Sequence, residues 1–369
     1  MLRLRAGLGH LDLDGLSPEE EAEVWRHWSR CDVREIAPVE DAETHSVDQR
    51  RCAEVPLLSR TGADWTAFHE QVVYDATKAA IASGRGSRVM LHAAALALPE
   101  TGCALALTAA SGTGKSTATR RLGRHLAYLT DETTIVDPAT GRITPYAKPL
   151  SLYGPSGVRP KDQHGPDQLG LGPTLEDARL VRVAVLDRVR EGTEDVQARA
   201  ETLDVVTAVS ELAPQSSSLS RLPRGLVTLC ELLDAQGGAV RLVYREAEDL
   251  LPVVRELLSA PAEPIASTWD ALTEEELTAS LPGTPEAAAR TEADDGIIMD
   301  DGRLLLLRGT EMTVLNGLGA ALWLHLDVAR TPAELVARLA EETEVPDDAE
   351  QIVLQGLADL GDRGLLQQH

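Results

Sequence analysis

The residues of this chain that could do chemistry begin with a glycine-rich segment, residues 109–117, of sequence AASGTGKST. An apolar run, residues 104–107, precedes it, which predicts a strand that enters a tight turn and then a helix. In such a turn the backbone N–H groups point inward as donors, and the helix N-terminus adds about half a positive charge. The segment therefore predicts a binding site for the phosphates of a nucleotide.

Each residue of this loop has an expected role. Lys115 is expected to reach the β- and γ-phosphates, and the Ser116 hydroxyl is expected to bind Mg²⁺. The usual pattern, G-x-x-x-x-G-K-[ST], has a glycine where this chain has Ala109. An incidental glycine-rich turn is the alternative interpretation. The remaining residues predicted to bind the nucleotide are Ser111, Gly112, Thr113, Gly114 and Thr117.

An acidic pair, Asp131-Glu132, follows 16 positions after Lys115. A site that handles ATP needs carboxylates for Mg²⁺, and phosphate transfer to a hydroxyl needs a base nearby. The apolar residues around the pair predict one buried strand over residues 128–136. A solvated acidic turn at a strand end is the alternative.

Two further residues are candidates for the same site. His92 lies in a predicted strand, residues 89–94, just before the loop; taken alone, it is more often a core histidine. Lys148 has prolines nearby on both sides, Pro145 and Pro149, which would stiffen its approach to bound phosphates. An ordinary polar loop is the alternative for Lys148.

The composition limits the class of protein. The chain has 369 residues, 43% hydrophobic and 25% charged, which is typical of two or three globular domains. A net charge of −24 argues against nucleic acid and against anionic membranes as partners. No apolar run approaches the length of a membrane span, and the first residues lack the apolar core of a signal peptide. We expect a cytoplasmic protein.

Patterning along the chain predicts four segments. Residues 1–85 form an α/β region that packs on the core, with a helix opened by a capping box at Ser17 and a polar loop at 38–53. Residues 86–260 alternate strands and helices and carry the phosphate loop. Residues 261–289 are polar and predict a linker.

The last segment, residues 290–369, predicts a small winged-helix-like α+β domain. Asp301-Gly302 is a hairpin turn signal between the apolar runs 296–299 and 304–307. Three amphipathic helices follow, with predicted starts at Asn316, Thr331 and Asp347.

Residues 91–93 (LHA), 111–116 (SGTGKS) and 129–132 (LTDE) together resemble HPr kinase/phosphorylase, whose phosphate-loop fold is shared with phosphoenolpyruvate carboxykinases. The resemblance implies an α/β core that binds ATP and Mg²⁺, with His92, Lys115 and Asp131 as catalytic residues. Asp131 is the implied base, and Ser116, Asp131 and Glu132 are the implied metal-binding residues. It also suggests a homo-oligomer. Ala93, Ala109 and Glu132 depart from the family pattern.

Residues 290–369 resemble PqqD-like domains, which recognise the leader peptides of ribosomally made natural products. The resemblance lies in the hairpin, in LNGLGAALW at 315–323 and in TPAEL at 331–335. It implies that a leader peptide adds as a strand beside residues 304–308, with the helix from Asp347 as the wall of the groove. A small dimerisation or packing domain is the alternative.

The two resemblances together suggest an ATP-dependent kinase that phosphorylates a side-chain hydroxyl, with serine as the expected acceptor, of a precursor peptide. Two other hypotheses stay open. One is a small-molecule kinase or carboxykinase-like enzyme, and the other is a non-catalytic ATP-binding scaffold that presents a leader peptide.

Overall fold

The computed structural model describes residues 1–37, 55–110, 112–190, 196–260, 262–281 and 283–367. Contacts divide the chain into two compact units, Met1–Ser218 with Leu232–Ile265 and Leu219–Glu231 with Ala266–His369. Both units combine sheets with helices, so the chain is a mixed α/β protein. Ser111 and the predicted loop at 38–53 lie outside the described residues.

The first unit begins with a four-stranded sheet of order β3-β1-β2-β4. Its elements are β1 (Leu2–Ala6), β2 (Gly9–Asp14), α1 (Pro18–His27), β3 (Val33–Glu35), β4 (Leu57–Ser59) and α2 (Trp65–Gly84). The capping box predicted at Ser17 is confirmed, since the Ser17 and Glu20 side chains each accept a hydrogen bond from the other's backbone N–H. Alternate residues of β1 and β2 are fully buried, among them Leu4 and Leu11, and they pack with Val72 of α2.

The rest of the first unit is built around a six-stranded sheet of order β14-β15-β13-β7-β6-β8. Its central strands are almost continuously apolar, as expected for a sheet covered on both faces. The elements from residue 89 to residue 259 are β5 (Val89–Leu91), β6 (Ala93–Ala97), β7 (Cys103–Thr108), α3 (Lys115–Leu122), β8 (Ala127–Thr130), β9 (Thr134–Val136), β10 (Ile143–Thr144), β11 (Leu150–Leu152), β12 (Asp162–His164), β13 (Arg179–Arg188), β14 (Arg199–Thr202), α4 (Val205–Leu212), α5 (Gly225–Ala235), β15 (Ala239–Tyr244) and α6 (Leu250–Ser259). Of these, α5 begins in the segment Leu219–Glu231, which belongs to the second unit.

Two strands predicted as continuous are each divided in the structure. The run 89–94 breaks at His92 into β5 and β6, and the run 128–136 breaks after Thr130 into β8 and β9. β5 and β9 pair in a three-stranded sheet with β10, whereas β6 and β8 pair in the six-stranded sheet. Two neighbouring segments therefore cross together from one sheet to the other. Because both halves of each segment are buried, the apolar pattern does not reveal the break.

The second unit contains a four-stranded antiparallel sheet of order β16-β17-β18-β19 and three consecutive helices after it. The predicted hairpin is confirmed, with Gly302 at a φ of +80° in the turn, a backbone conformation that favours glycine. The elements of this part are β16 (Trp269–Ala271), α7 (Glu274–Leu277), β17 (Asp295–Met299), β18 (Leu304–Arg308), β19 (Glu311–Leu315), α8 (Gly317–His325), α9 (Pro332–Glu342) and α10 (Ala349–Asp362).

The segment predicted as a linker, residues 261–289, contributes a strand and a helix to this second unit. Trp269 of β16 pairs with Met299 of β17, and the side chains of Leu272 and Leu277 are buried in the core. The three glutamates of α7 occupy its first turn, where the helix dipole favours negative charge. The acidic residues in this segment therefore stabilise the start of α7, and their polarity does not indicate a linker. None of the helices in the described residues has both the length and the apolar character needed to cross a membrane.

Candidate functional site

The predicted site residues come together at one edge of the six-stranded sheet. β7, β13 and β15 are parallel, and β6 is antiparallel to both β7 and β8, so β8 runs in the same direction as β7. The register places Ala93 opposite Thr108 and Ala95 opposite Thr130. The start of β6 therefore lies beside the ends of β7 and β8. In open α/β sheets, this carboxyl edge is where ligands bind.

The glycine-rich loop leads from β7 into α3. Gly112 has a φ of +79° and Gly114 a φ of +101°. A residue with a side chain would be strained in these backbone conformations, whereas glycine adopts them readily. Gly114 is the N-cap of α3, and the first backbone bond of the helix runs from Ala118 N to Gly114 O. The N–H groups that precede Ala118 in the first turn are therefore available to an anion. At the start of the loop, Ala109 is only 4% exposed, and its methyl group packs in the core.

Lys115 points from the first turn of α3 toward the chain crossing at His92. Its Nζ donates a hydrogen bond to the backbone oxygen of His92 at 3.2 Å. Burial lowers the pKa of Lys115 to about 8, even though the nearby Asp131 and Glu132 carboxylates act in the opposite direction. A phosphate oxygen would be a stronger partner for this ammonium group than a neutral carbonyl.

Lys148 lies in a buried ion triad with the acidic pair. Its Nζ lies 2.9 Å from Asp131 Oδ1 and 3.0 Å from Glu132 Oε2, and it donates to the backbone oxygen of Pro149 at 3.0 Å. The sequence predicts Lys148 over the phosphates, whereas in the structure these three contacts match the three N–H donors of its ammonium group. Burial opposes the charge of Lys148, but the two carboxylates outweigh it and raise the pKa. Conversely, burial would raise the pKa of Glu132, but the ammonium of Lys148 lowers it.

Tyr128 is a member of the site that sequence reasoning missed. Its buried hydroxyl lies 3.1 Å from Asp131 Oδ1 and 3.0 Å from the backbone oxygen of Lys148, so its single proton can be donated to either. Burial and the Asp131 carboxylate raise the pKa of Tyr128 well above its ordinary value. The sequence pattern around Tyr128 is that of an ordinary buried strand, so nothing in it marks this residue as part of a site.

His92 contributes its backbone to the described contacts of the site. Its oxygen accepts from Lys115, and its N–H donates to Gln215 O at 2.6 Å. The residue is exposed, although partial desolvation and the neighbouring Lys115 charge lower the pKa of the imidazole. His92 therefore lies beside the loop as predicted, at the chain crossing rather than within a strand.

The oxygen donors of Ser116, Asp131 and Glu132 have the chemistry that Mg²⁺ prefers. Lys148, however, already contacts one oxygen of each carboxylate. The residues fit a magnesium ion held by the Ser116 hydroxyl and the second oxygen of a carboxylate, Asp131 Oδ2 or Glu132 Oε1.

A small cavity of about 90 Å³ opens beside the loop, next to Gly114 and Thr117. Arg188 and Tyr244 line it from the ends of β13 and β15, and the Tyr244 hydroxyl lies 3.5 Å from Thr113 O. Arg188 bonds to Arg245 O and to the Glu246 carboxylate. The sequence alone does not assign a role to Arg188 or Tyr244, because it is the strand order that brings the ends of β13 and β15 to the loop.

The second unit has its own cavity, of about 430 Å³, beside the sheet edge. We call it the β19 groove; the residues that line it are Val314, Leu315, Asn316, Leu318, Gly319, Ile352, Gln355, Gly356, Asp359, Leu360 and Arg363. The predicted wall helix, α10, begins at Ala349 and does line this groove. The predicted docking strand is wrong: residues 304–308 form β18, which pairs with β17 on one side and β19 on the other. The edge strands of this sheet are β16 and β19, and β19 is the one whose residues line the groove.

One side chain crosses this edge. Arg363 Nη1 donates to the backbone oxygen of Val314 at 3.2 Å. This contact shows that the Val314 carbonyl points away from β18 and into the groove.

Comparison with known proteins finds a family match within the second unit. Residues 297–366 match the model of the family described as coenzyme PQQ synthesis protein D (PqqD), which confirms the PqqD-like resemblance over these residues. No curated protein matches the chain. Among solved structures, the Hpr(Ser) kinase/phosphatase from Coxiella burnetii matches 46% of this chain and 93% of its own, with 11% identity and a TM-score of 0.23. A likeness at that level says nothing about the activity of this chain.

Proposed function

We propose that this chain is an ATP-dependent kinase of the HPr kinase-like phosphate-loop type. Its proposed substrate is a side-chain hydroxyl, with serine as the expected acceptor, of a ribosomally made precursor peptide held by the PqqD-like domain. The observation that carries the proposal is the convergence of Lys115 and the Asp131-Glu132 pair at the carboxyl edge of one sheet.

The chemistry follows from the groups at this edge. Bound with Mg²⁺, ATP supplies the transferable phosphate group. The loop N–H groups and Lys115 hold its phosphates and offset their charge. Asp131 accepts the proton of the substrate hydroxyl, whose oxygen forms a bond to the γ-phosphorus while the bond from that phosphorus to the bridging oxygen of ADP breaks. Ser116 and the second oxygen of a carboxylate are the proposed magnesium ligands.

The peptide is proposed to bind in the β19 groove as an extended strand. β19 pairs with β18 on one side and is the last strand of the described sheet on the other, and the apolar side chains of Leu318 and Ile352 line the groove beside it. Main-chain hydrogen bonds to such an edge provide affinity without requiring a particular side chain. Tethering the leader raises the effective concentration of the acceptor at the kinase site.

The direct test is to incubate the full chain with ATP, Mg²⁺ and the precursor peptide encoded beside its gene. We expect the peptide to gain the mass of one phosphate. Lys115→Ala and Asp131→Asn should abolish the gain, while Lys78→Ala, on an exposed helix face, should keep it. An unmodified peptide with the wild-type protein, or full activity in both site variants, would contradict the proposal. ATP binding without any turnover would support the scaffold hypothesis instead.

A further inference from the structure

The ion triad of Lys148, Asp131 and Glu132 has a geometry that phosphate transfer by itself does not require. A single nitrogen lies within 3.0 Å of one oxygen from each of two adjacent carboxylates. The side chains of Lys148 and Asp131 are 1% and 6% exposed, so their contact is shielded from water, whereas Glu132 is 33% exposed. When one oxygen from each of two neighbouring carboxylates faces the same position, that position is usually suited to a divalent cation that bridges them.

We propose that Lys148 is the built-in counter-cation of this carboxylate pair and fills the position that a bridging metal ion would otherwise take. Its consequence for catalysis rests on the proposed kinase function: the Mg²⁺ that accompanies ATP binds from the Ser116 side and does not bridge Asp131 and Glu132. Lys148 is then a positioning residue for Asp131.

Three contacts support a fixed cation rather than a mobile phosphate ligand. The third N–H of Lys148 bonds to Pro149 O, directly beside it in the chain. The backbone oxygen of Lys148 lies within hydrogen-bond distance of Tyr128, which also reaches Asp131. The ammonium end of Lys148 is therefore held by the carboxylate pair, and its backbone oxygen lies against the Tyr128 hydroxyl. A buried lysine is tolerated when it is paired in this way.

Removing the ammonium should uncover a metal site. Lys148→Met leaves the buried carboxylate of Asp131 beside the partly exposed carboxylate of Glu132, and the two repel each other unless a cation joins them. Mn²⁺ is a suitable probe, because its binding to the full chain can be measured by electron paramagnetic resonance without nucleotide. We expect Lys148→Met to gain one Mn²⁺ site, at least tenfold tighter than any in the wild type. Adding Glu132→Gln should remove this site, and Lys148→Arg should behave like the wild type.

Thermal unfolding provides a second readout. Lys148→Met should melt at a lower temperature, and Mn²⁺ or Mg²⁺ should restore the loss. The matched control is Arg3→Met, which frees one buried carboxylate, Asp12, from a two-point ion pair. A divalent cation needs several oxygen ligands and one carboxylate supplies at most two, so we expect this variant to be destabilised and not restored by the metal.

The inference is overturned by either of two results. One is a Mn²⁺ site in the wild type that Asp131→Asn and Glu132→Gln each abolish and that Ser116→Ala leaves intact, a titration that does not depend on whether Lys148→Met folds. The other is a folded Lys148→Met that gains no site. Neither readout involves phosphate transfer, so a failure of the kinase proposal and a failure of this inference are distinguishable.

Discussion

Arg363 covers the backbone oxygen of Val314, and this contact closes part of the only strand edge that faces the β19 groove in the described residues. An exposed strand edge pairs readily with other chains, and charged side chains are a common protection against this. An incoming peptide strand must displace Arg363 to reach the Val314 carbonyl.

Arg363→Ala should therefore tighten binding of the precursor peptide. The binding free energy should improve by about the value of one hydrogen bond that no longer has to be broken, about 0.5–1.5 kcal/mol. This corresponds to a roughly two- to tenfold lower Kd. Fluorescence anisotropy with a labelled leader peptide measures it. Arg338→Ala, which removes an exposed arginine paired with Glu341 on α9, should leave Kd unchanged. Weaker binding of the Arg363 variant would mean that the arginine contacts the peptide instead.

Filling the groove should have the opposite effect. A Cβ atom at Gly319 meets only Leu315 Cδ2, at 3.8 Å, so Gly319→Leu fits the fold while its side chain occupies the groove. We expect the affinity for the peptide to fall by about tenfold or more, equivalent to about 1.4 kcal/mol. Gly361→Leu is the matched control, because Gly361 lies on α10 outside the groove lining and its Cβ meets nothing within 4 Å. Equal affinities for the two variants would place the peptide elsewhere.

Nucleotide binding should weaken in alkaline solution. The ammonium form of Lys115 binds phosphate, and burial lowers its pKa to about 8 in the free protein. Affinity for ATP should be full well below pH 8 and fall as the pH rises above it, by up to about tenfold per unit. Calorimetric titration from pH 7 to 9.5 measures this. Lys115→Arg stays charged throughout, so its affinity should vary little with pH. The same slope in both proteins would exclude Lys115 as the titrating group.

Mild acid should destabilise the first unit. The Trp28 indole donates to His69 Nε2 at 3.0 Å, and burial lowers the pKa of His69 to about 3. The unfolded chain takes up a proton on this residue below about pH 6.5, while the folded chain does not. The neutral, buried His69 therefore contributes its full share of the free energy of unfolding above pH 6.5. This share is lost as the pH falls toward 3, at about 1.4 kcal/mol per pH unit.

Urea unfolding at pH 7.5 and pH 5 measures this loss. His69→Gln retains an acceptor for Trp28 but cannot be protonated, so its stability should fall less between the two pH values. An equal fall in both proteins would assign the acid sensitivity to other groups, such as His27, whose pKa burial also lowers.

The sequence predicted the elements whose signals are local. The capping box at Ser17, the hairpin at Asp301-Gly302 and strand β7 each follow from a few neighbouring residues, and the structure has them all. Lys115 and Asp131 were expected at one site because an ATP site needs carboxylates and because their spacing resembles that in HPr kinase/phosphorylase.

What the sequence could not predict depends on pairing between distant segments. The edge strand β19, of sequence EMTVL, has no continuous apolar run that would mark it as a strand, whereas β18, of sequence LLLLR, does. The position of Lys148 depends on where the chain returns after β10. The roles of Tyr244 and Arg188 require the strand order, which brings the ends of β15 and β13 beside the loop.

The two chain crossings give the N-terminal region a role in holding the candidate site. Met90 lies just before the crossing at His92, and Ile135 lies just after the one at Asp131. Both side chains are buried in the same core as Leu4 and Val72. The first sheet and α2 therefore pack against the residues next to both crossings, and this packing holds His92 and Asp131 in place. A substitution that weakened this core would shift His92 and Asp131 relative to Lys115 without altering any residue proposed to contact the nucleotide.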